Sequence, residues 1–272
     1  MITYTDLLHR VHALLNTNLN EEYMKRVATL LKEYQNLVKD GITYSKIYNA
    51  TETSFELSFS EVQIHIREVC KMIPCILRDY LNGRIVKSIS TIQNFVQDNK
   101  FQTIEINQEF TYYRARESKT LMLCTREDLF HVPYTHRGNV TTKRYSISGH
   151  PCLYLCRSSY MCWEELRRPL IENMYISAFK SKTRIKLLDL RMYKQFYNKA
   201  MFKRYIELLP IILICSMPTN NDSDTYKPEY ILPQLFLHTA TFTNSSNSTS
   251  SAEKDVYRGI IYSSTHIDLR TC

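Results

Sequence analysis

The sequence predicts an α+β protein, with an α-helical region over residues 1–100 and a mixed α/β domain over 101–272. Three observations predict it. Apolar residues recur at three- and four-residue spacing through most of the first hundred positions, the period of an amphipathic helix. From Phe110 onward the pattern shifts to short, Tyr- and Phe-rich stretches that alternate, the period of strands. At 272 residues and 44% apolar composition, the chain is long enough for one large domain or two smaller ones.

The elements follow in order. Residues 5–16 place Leu7, Leu8, Val11, Leu14 and Leu15 on one helical face, with Thr5 or Asp6 near the start. Residues 20–39 repeat the pattern with Tyr23, Val27, Leu30, Leu31, Tyr34, Leu37 and Val38 and stop before Gly41, which reads as a helical hairpin. A third helix over 60–80 carries Val62, Ile66, Val69, Ile73, Ile76 and Leu77; Pro74 should kink or restart it. A fourth over 85–98 carries Ile85, Ile89, Ile92, Phe95 and Val96. None of this holds a catalytic pattern, and it suits a helical cap or dimerisation domain better than a sensing module. A strand over 110–116 puts Arg114 and Arg116 on one face. Beyond residue 166 come strands at 174–179 and 185–190 and a helix over 192–214, broken or kinked at Pro210. A polar loop at 219–225 precedes a helix over 230–239 with Pro233 near its first turn, and a Ser/Asn/Thr-rich surface loop spans 243–252.

Composition removes several function classes. A net charge of +8 favours anionic partners, although a solvated basic surface gives the same number. The eight cysteines have no regular spacing and several sit inside apolar runs, as buried thiols of a reducing cytoplasm do. Cys152 and Cys156 lack a second Cys/His pair at zinc spacing, so no metal is expected. Five glycines cannot supply a Rossmann or P-loop phosphate cradle. The N-terminal apolar stretch carries His and Arg without a cleavage site, and the longest apolar run, 208–215, is too short to cross a bilayer. The expectation is a cytoplasmic protein without membrane contact, and with no motif for nucleic acid.

The most chemical stretch is 143–166, KRYSISGHPCLYLCRSSYMCWEEL. It reads as a short extended segment (144–147), a turn holding Gly149 and Pro151, an apolar strand (152–156), and a helix capped by Ser158 or Ser159. Such a unit can fold Arg144, Tyr154 and Glu165 onto one cleft. A guanidinium grips phosphates, a tyrosine offers a stacking face with a hydroxyl, and a carboxylate stabilises a developing cation. Taken singly, each residue has an ordinary structural explanation. Glu164 rivals Glu165, because helix neighbours point about 100° apart and only one can face a cleft.

This spacing resembles the RES domain family, toxin-type enzymes that destroy NAD. Its members carry an Arg before an aromatic residue, here Arg144 and Tyr145, a Tyr in the next hydrophobic strand, here Tyr154, and a Glu on the following helix, here Glu165. A Ser near the C-terminus corresponds to Ser264, with Ser263 beside it, in the segment GIIYSS at 259–264. The stretch EYILPQL at 229–235 resembles the family's Tyr-x-x-Pro-Gln helix start and brings in Gln234. Family members also open the domain with an aromatic-Arg strand, which points to Arg114 or Arg116, and His131 lies in the adjoining loop. Lys143 stands where the family usually has Gly. The resemblance covers roughly residues 110–270 and leaves the first hundred unexplained.

What the resemblance implies is a small, twisted, mainly antiparallel sheet like that of ADP-ribosyltransferases. It assigns catalysis to Glu165, Arg144, Tyr154 and Ser264, and substrate contact to Arg114, Arg116, Tyr145, His131, Ser263 and Gln234. NAD would be substrate, with no cofactor, and a neutralising antitoxin or other regulatory protein would be a partner; self-association stays open. Transfer of ADP-ribose to a protein or nucleotide is the alternative activity, and a non-enzymatic basic nucleic-acid-binding module is a further one.

Overall fold

The computed structural model describes residues 1–16, 21–48, 51–99, 101–118, 125–221, 223–242 and 257–264. In chain order they form β1 (Ile2–Thr3), α1 (Tyr4–Leu15), α2 (Tyr23–Val38), β2 (Ile42–Tyr48), β3 (Thr51–Leu57), α3 (Phe59–Leu81), α4 (Ile85–Asn99), β4 (Thr103–Ile106), β5 (Thr111–Glu117), α5 (Ser159–Glu165), β6 (Met174–Lys180), β7 (Ile185–Leu190), α6 (Lys199–Cys215), α7 (Ile231–Phe242) and β8 (Tyr257–Tyr262). The fold is α+β. Its contacts divide it into two compact units, Met1–Asn99 with Arg191–Leu235, and Lys100–Leu190 with Phe236–Cys272.

In the first unit the four N-terminal helices stand where the periodicity puts them. Thr3 caps α1 by accepting from the Asp6 amide at 3.1 Å, and Leu7, Val11 and Leu15 line its buried face. In α3 the Glu61 carboxylate closes the first turn on the Ser58 amide at 2.8 Å. Lys199 and Ser58 hold that carboxyl down at about 2.

Residues 191–235 join this unit because of α6. Phe202 and everything from Tyr205 to Cys215 are buried, so the helix is apolar on every side and must be wrapped. It packs against α2, α3 and β3. Burial of each such Leu, Ile or Phe contributes roughly 1.5–3 kcal/mol. The one charge in that run, Glu207, is met by His65 at 3.2 Å and Arg204 at 3.4 Å. Around the start of α6, Tyr4, Tyr44, Phe196, Phe202 and Tyr205 pack ring on ring, with the Tyr4 hydroxyl donating to the Tyr193 carbonyl.

Several expectations need correction. The first hundred residues are not wholly helical: β2 and β3 form an antiparallel hairpin in register from Ile42↔Leu57 to Tyr48↔Thr51, and β1 adds in parallel at Ile2↔Ile42. The hairpin buries only Ile42, Tyr44 and Leu57, too few apolar positions to stand out in a polar stretch. Gly41 starts it at φ +87°, where a Cβ would meet the Leu57 carbonyl at 2.8 Å. α3 runs on through Pro74 and α6 through Pro210, so the expected restart or break is absent at both. A proline inside a helix costs about 3 kcal/mol, and burial of Ile73, Ile76 and Leu77, or of the whole of α6, offsets it. The last long helix starts at Lys199 rather than 192, where Asn198 caps it by accepting from the Met201 amide at 2.8 Å.

The second unit holds two small sheets. One has strand order β4-β7-β8, antiparallel between β4 and β7 and parallel between β7 and β8, and the other pairs β5 with β6 antiparallel. Here too a correction is due. Residues 144–147 and 152–156 are not strands. Lys143 and Ser146 close a tight turn on each other, at 2.9 and 3.1 Å, and only Cys156 reaches a strand edge. Backbone bonds follow tertiary demand here, because the short apolar run meets one partner residue, Tyr113, rather than a whole strand. Phe236, on the part of α7 that belongs to this unit, packs on Phe101 with ring centroids 5.5 Å apart. The Ser/Asn/Thr-rich stretch 243–252 lies outside the described residues.

Candidate active site

One edge of β5 is the backbone of the site. β6 occupies the other edge, pairing Arg114 with Ser177 and Arg116 with Tyr175. On the free edge Tyr113 exchanges both backbone hydrogen bonds with Cys156, at 2.8 and 2.7 Å. Alternate residues present their amides to the same edge. Ala115, two further on, presents its amide to the same edge, and α5 packs against β5. Ser158 caps the helix as the sequence predicts, accepting from the Met161 amide at 3.2 Å.

Arg114 and Arg116 differ. One guanidinium nitrogen of Arg114 is buried and has no hydrogen-bond partner among the described residues. Burial, then the neighbouring charge of Arg116, pulls the Arg114 pKa below its usual range. It stays cationic, since arginine titrates far above neutrality. Arg116 donates to the Phe130 carbonyl at 3.2 Å, which ties the 130–134 loop to the strand. His131 follows, half-buried, with Nδ1 2.9 Å from the Val132 carbonyl and its ring 4.4 Å from that of Phe130.

The two glutamates of α5 have separate surroundings. Glu164 is buried and ion-paired with Arg168 at 3.0 Å, and Tyr160 and Arg168 hold its carboxyl below the usual range. Glu165 is half-buried, its carboxylate makes no hydrogen bond or ion pair among the described residues, and its charge works against ionisation of the Cys156 and Cys162 thiols. Directly after it the chain turns left-handed twice, at Arg167 (φ 63°) and Arg168 (φ 58°). Neither is glycine, and such a conformation costs about 1–2 kcal/mol per residue. The turn is held by amide bonds from Arg167 to Glu164 (2.9 Å) and from Arg168 to Trp163 (2.9 Å), and by the Arg168 guanidinium over the Trp163 ring at 5.6 Å. The helix thus stops with Glu165 as its last residue. The sequence reading missed this lock; its signal, a Trp and a Glu before two arginines, has meaning only once the turn is known.

Tyr145 is buried against Tyr262 with ring centroids 4.4 Å apart, which brings the Arg144 turn to the end of β8, where half-buried Ser263 and Ser264 follow. Ser146 ties the same turn to the loop by donating to the His150 carbonyl at 2.8 Å, and Gly149 (φ +78°) lets the chain reverse. His238 on α7 lies near His150, and burial with that neighbour lowers its pKa. Arg144 and Tyr154 are both half-buried in this unit. Two groups therefore form: Tyr145 with β8 and its serines, and Arg114, Arg116 and His131 with the β5 edge that seats Cys156 and α5. Gln234, one turn before His238 on α7, belongs to the first unit.

Over 175 residues the chain is 35% identical to a Bacillus subtilis (strain 168) protein described as "Putative toxin YopC". The match covers 59% of this chain and 37% of that protein, so the chain spans little more than a third of its relative's length. No family model and no solved structure matches the chain. Among the described residues no helix is long and apolar enough to cross a membrane.

Proposed function

We propose that the second unit is the active domain of a toxin-type enzyme of the RES kind, which breaks the nicotinamide–ribose bond of NAD. The observation that carries the reading is a pair of opposite, uncommitted charges on one strand–helix unit. Arg114 has a buried nitrogen without a partner among the described residues, and α5, packed against the same strand, ends in half-buried Glu165. Folding leaves a cation and a carboxylate unsatisfied only at a cost, and such groups gather where a ligand completes them. The similarity to a protein described as a toxin supports the biological side of the reading.

The chemistry follows from the substrate. The pyrophosphate carries two negative charges, which the guanidinium of Arg144 binds bidentately in a way lysine cannot match, with Arg114 or Arg116 as a further cationic contact to the ligand. The nicotinamide nitrogen is already formally positive, so the group leaves neutral and needs no proton. Positive charge moves onto the ribose as an oxocarbenium ion. Glu165 stabilises that charge in the transition state more than in the ground state, which accelerates the step. Tyr154 and Tyr145 supply stacking faces, and Ser264 or Ser263 holds a ribose hydroxyl. Water then adds at C1 to give ADP-ribose; phosphate would give its phosphorylated form.

Purified protein incubated with NAD should release nicotinamide, followed by chromatography. Glu165→Gln should slow release by about 10²–10³-fold, the usual loss for one preorganised electrostatic group, with thermal stability unchanged. Arg144→Lys should mainly raise KM. Folded wild-type protein that releases no nicotinamide would end the reading. Label from adenine-tagged NAD retained on macromolecules would move the activity to ADP-ribosyl transfer.

A further inference from the structure

We propose that Phe130, framed by Phe179 and His131, is a stacking platform for the purine base of the substrate, and that it makes the site prefer a dinucleotide to nicotinamide mononucleotide. The orientation of the ligand rests on the activity proposed above; the platform itself is read from the sheet. Tyr112, Arg114 and Arg116 alternate along β5 and so share one face. Their partners on β6, Phe179, Ser177 and Tyr175, lie directly opposite and share it too. Residues 130–134 lie against this face. The Phe130 ring stacks on that of Phe179 at 6.1 Å and 28°, and the Arg116 guanidinium donates to the Phe130 carbonyl at 3.2 Å. His131 adds a ring 4.4 Å from Phe130. Tyr134 adds another 5.8 Å from His131, with the Arg137 guanidinium over it at 5.5 Å.

Two features separate this cluster from a core. Phe130 is 43% exposed and Tyr134 61%, so rings that are held in place keep faces open to water, whereas Tyr112 at the start of the same strand is buried. On the shared sheet face, Arg114 keeps a buried nitrogen without a partner among the described residues. Open aromatic faces together with a guanidinium suit a phosphorylated base, because the rings stack on the base and the cation holds the phosphate.

The strand decides which end of a dinucleotide comes here. Along one edge of β5, Tyr113 pairs with Cys156, and three residues later the chain enters α5, which packs on β5 and ends in Glu165. Along the other edge lies β6 with Phe179. Phosphates held at Arg114, between these two sides, send the reacting ribose toward Glu165 and leave the purine for Phe130. A dinucleotide reaches both sides. Nicotinamide mononucleotide ends at its phosphate and reaches only the first.

Calorimetric titration of the full-length protein with ADP and with inorganic pyrophosphate tests the platform without turnover. Phe130→Leu keeps an apolar side chain against Phe179 but removes the ring. Its ADP affinity should fall about tenfold, the order expected for one stacked base, with pyrophosphate binding as in wild type, and Phe130→Trp should restore ADP affinity. In kinetics, Phe130→Leu should raise KM for NAD rather than lower kcat. The preference for NAD over nicotinamide mononucleotide, as a ratio of kcat/KM values, should fall by a similar factor. Wild-type protein that does not bind ADP, or Phe130→Leu that binds it equally well, overturns the proposal. So does a parallel loss of ADP and pyrophosphate, which marks a structural role for the ring. ADP affinity that depends on Phe130 in a protein releasing no nicotinamide from NAD would end the enzymatic reading and leave the platform standing.

Discussion

The two units differ in how they complete a buried arginine. In the first, Arg26 and Glu229 pair at 2.8 Å with both side chains 2% exposed, and Arg26 also donates to Asn220 and to the Pro218 carbonyl, each at 2.8 Å. Asp79 is held by Arg84 and Lys87, and Glu207 by His65, Lys203 and Arg204. In the second, Arg114 keeps a buried nitrogen without a described partner and Glu165 has no described ion pair. Arg26 is completed within the protein, whereas a group such as Arg114 that keeps an uncompleted buried nitrogen is a candidate for contact with a ligand.

The largest effect is expected at the Arg26–Glu229 pair. Arg26→Ala strands the Glu229 carboxylate in the interior and should cost about 3–5 kcal/mol, read as a lower denaturation midpoint. A loss under about 1 kcal/mol would mean the pair is no more than a surface bridge. Next comes the mirror case. Glu165→Gln should change stability little while activity falls as stated above, because this carboxylate supports no fold contact. A large fall in melting temperature for Glu165→Gln would place it with the structural charges instead.

Smaller effects sharpen the contrast. Tyr34 is fully buried, and its hydroxyl donates to the Ile206 carbonyl at 2.6 Å, so Tyr34→Phe should cost about 1–2 kcal/mol; calorimetry would measure it. The smallest effect concerns acid. Lys87 and Arg84 hold the Asp79 carboxyl below its ordinary value of 3.8. A folded-state pKa below the unfolded one gives stability that is fully present above the unfolded value and is lost as pH falls through the folded one. Urea midpoints should therefore fall below about pH 4, and Asp79→Asn should flatten that limb. An unchanged slope would show that the bridge adds nothing.

Particular elements show what could be read early. α1 to α4 were legible because buried residues at Leu7, Val11 and Leu15, or Val62, Ile66, Val69 and Ile73, repeat within each turn. The cap at Ser158 was legible for the same local reason. The hairpin of β2 and β3 was not, because its strands gain their pairing from each other and bury few apolar groups. In the site, the arginines of β5 and the Tyr145 turn were marked by residue type and spacing. The pairing of Cys156 with Tyr113 was not marked, because a single bridge residue leaves no alternating pattern.

By itself the sequence determined the α+β class, the positions of most helices and the residue types available for chemistry, since period and capping act over a few residues. The tertiary structure alone decided that 191–235 packs with the N-terminal helices, that Glu164 is spent on Arg168 while Glu165 is not, and that Cys156 bridges to Tyr113. Those outcomes depend on which distant groups share a desolvated space, and no local pattern encodes that choice.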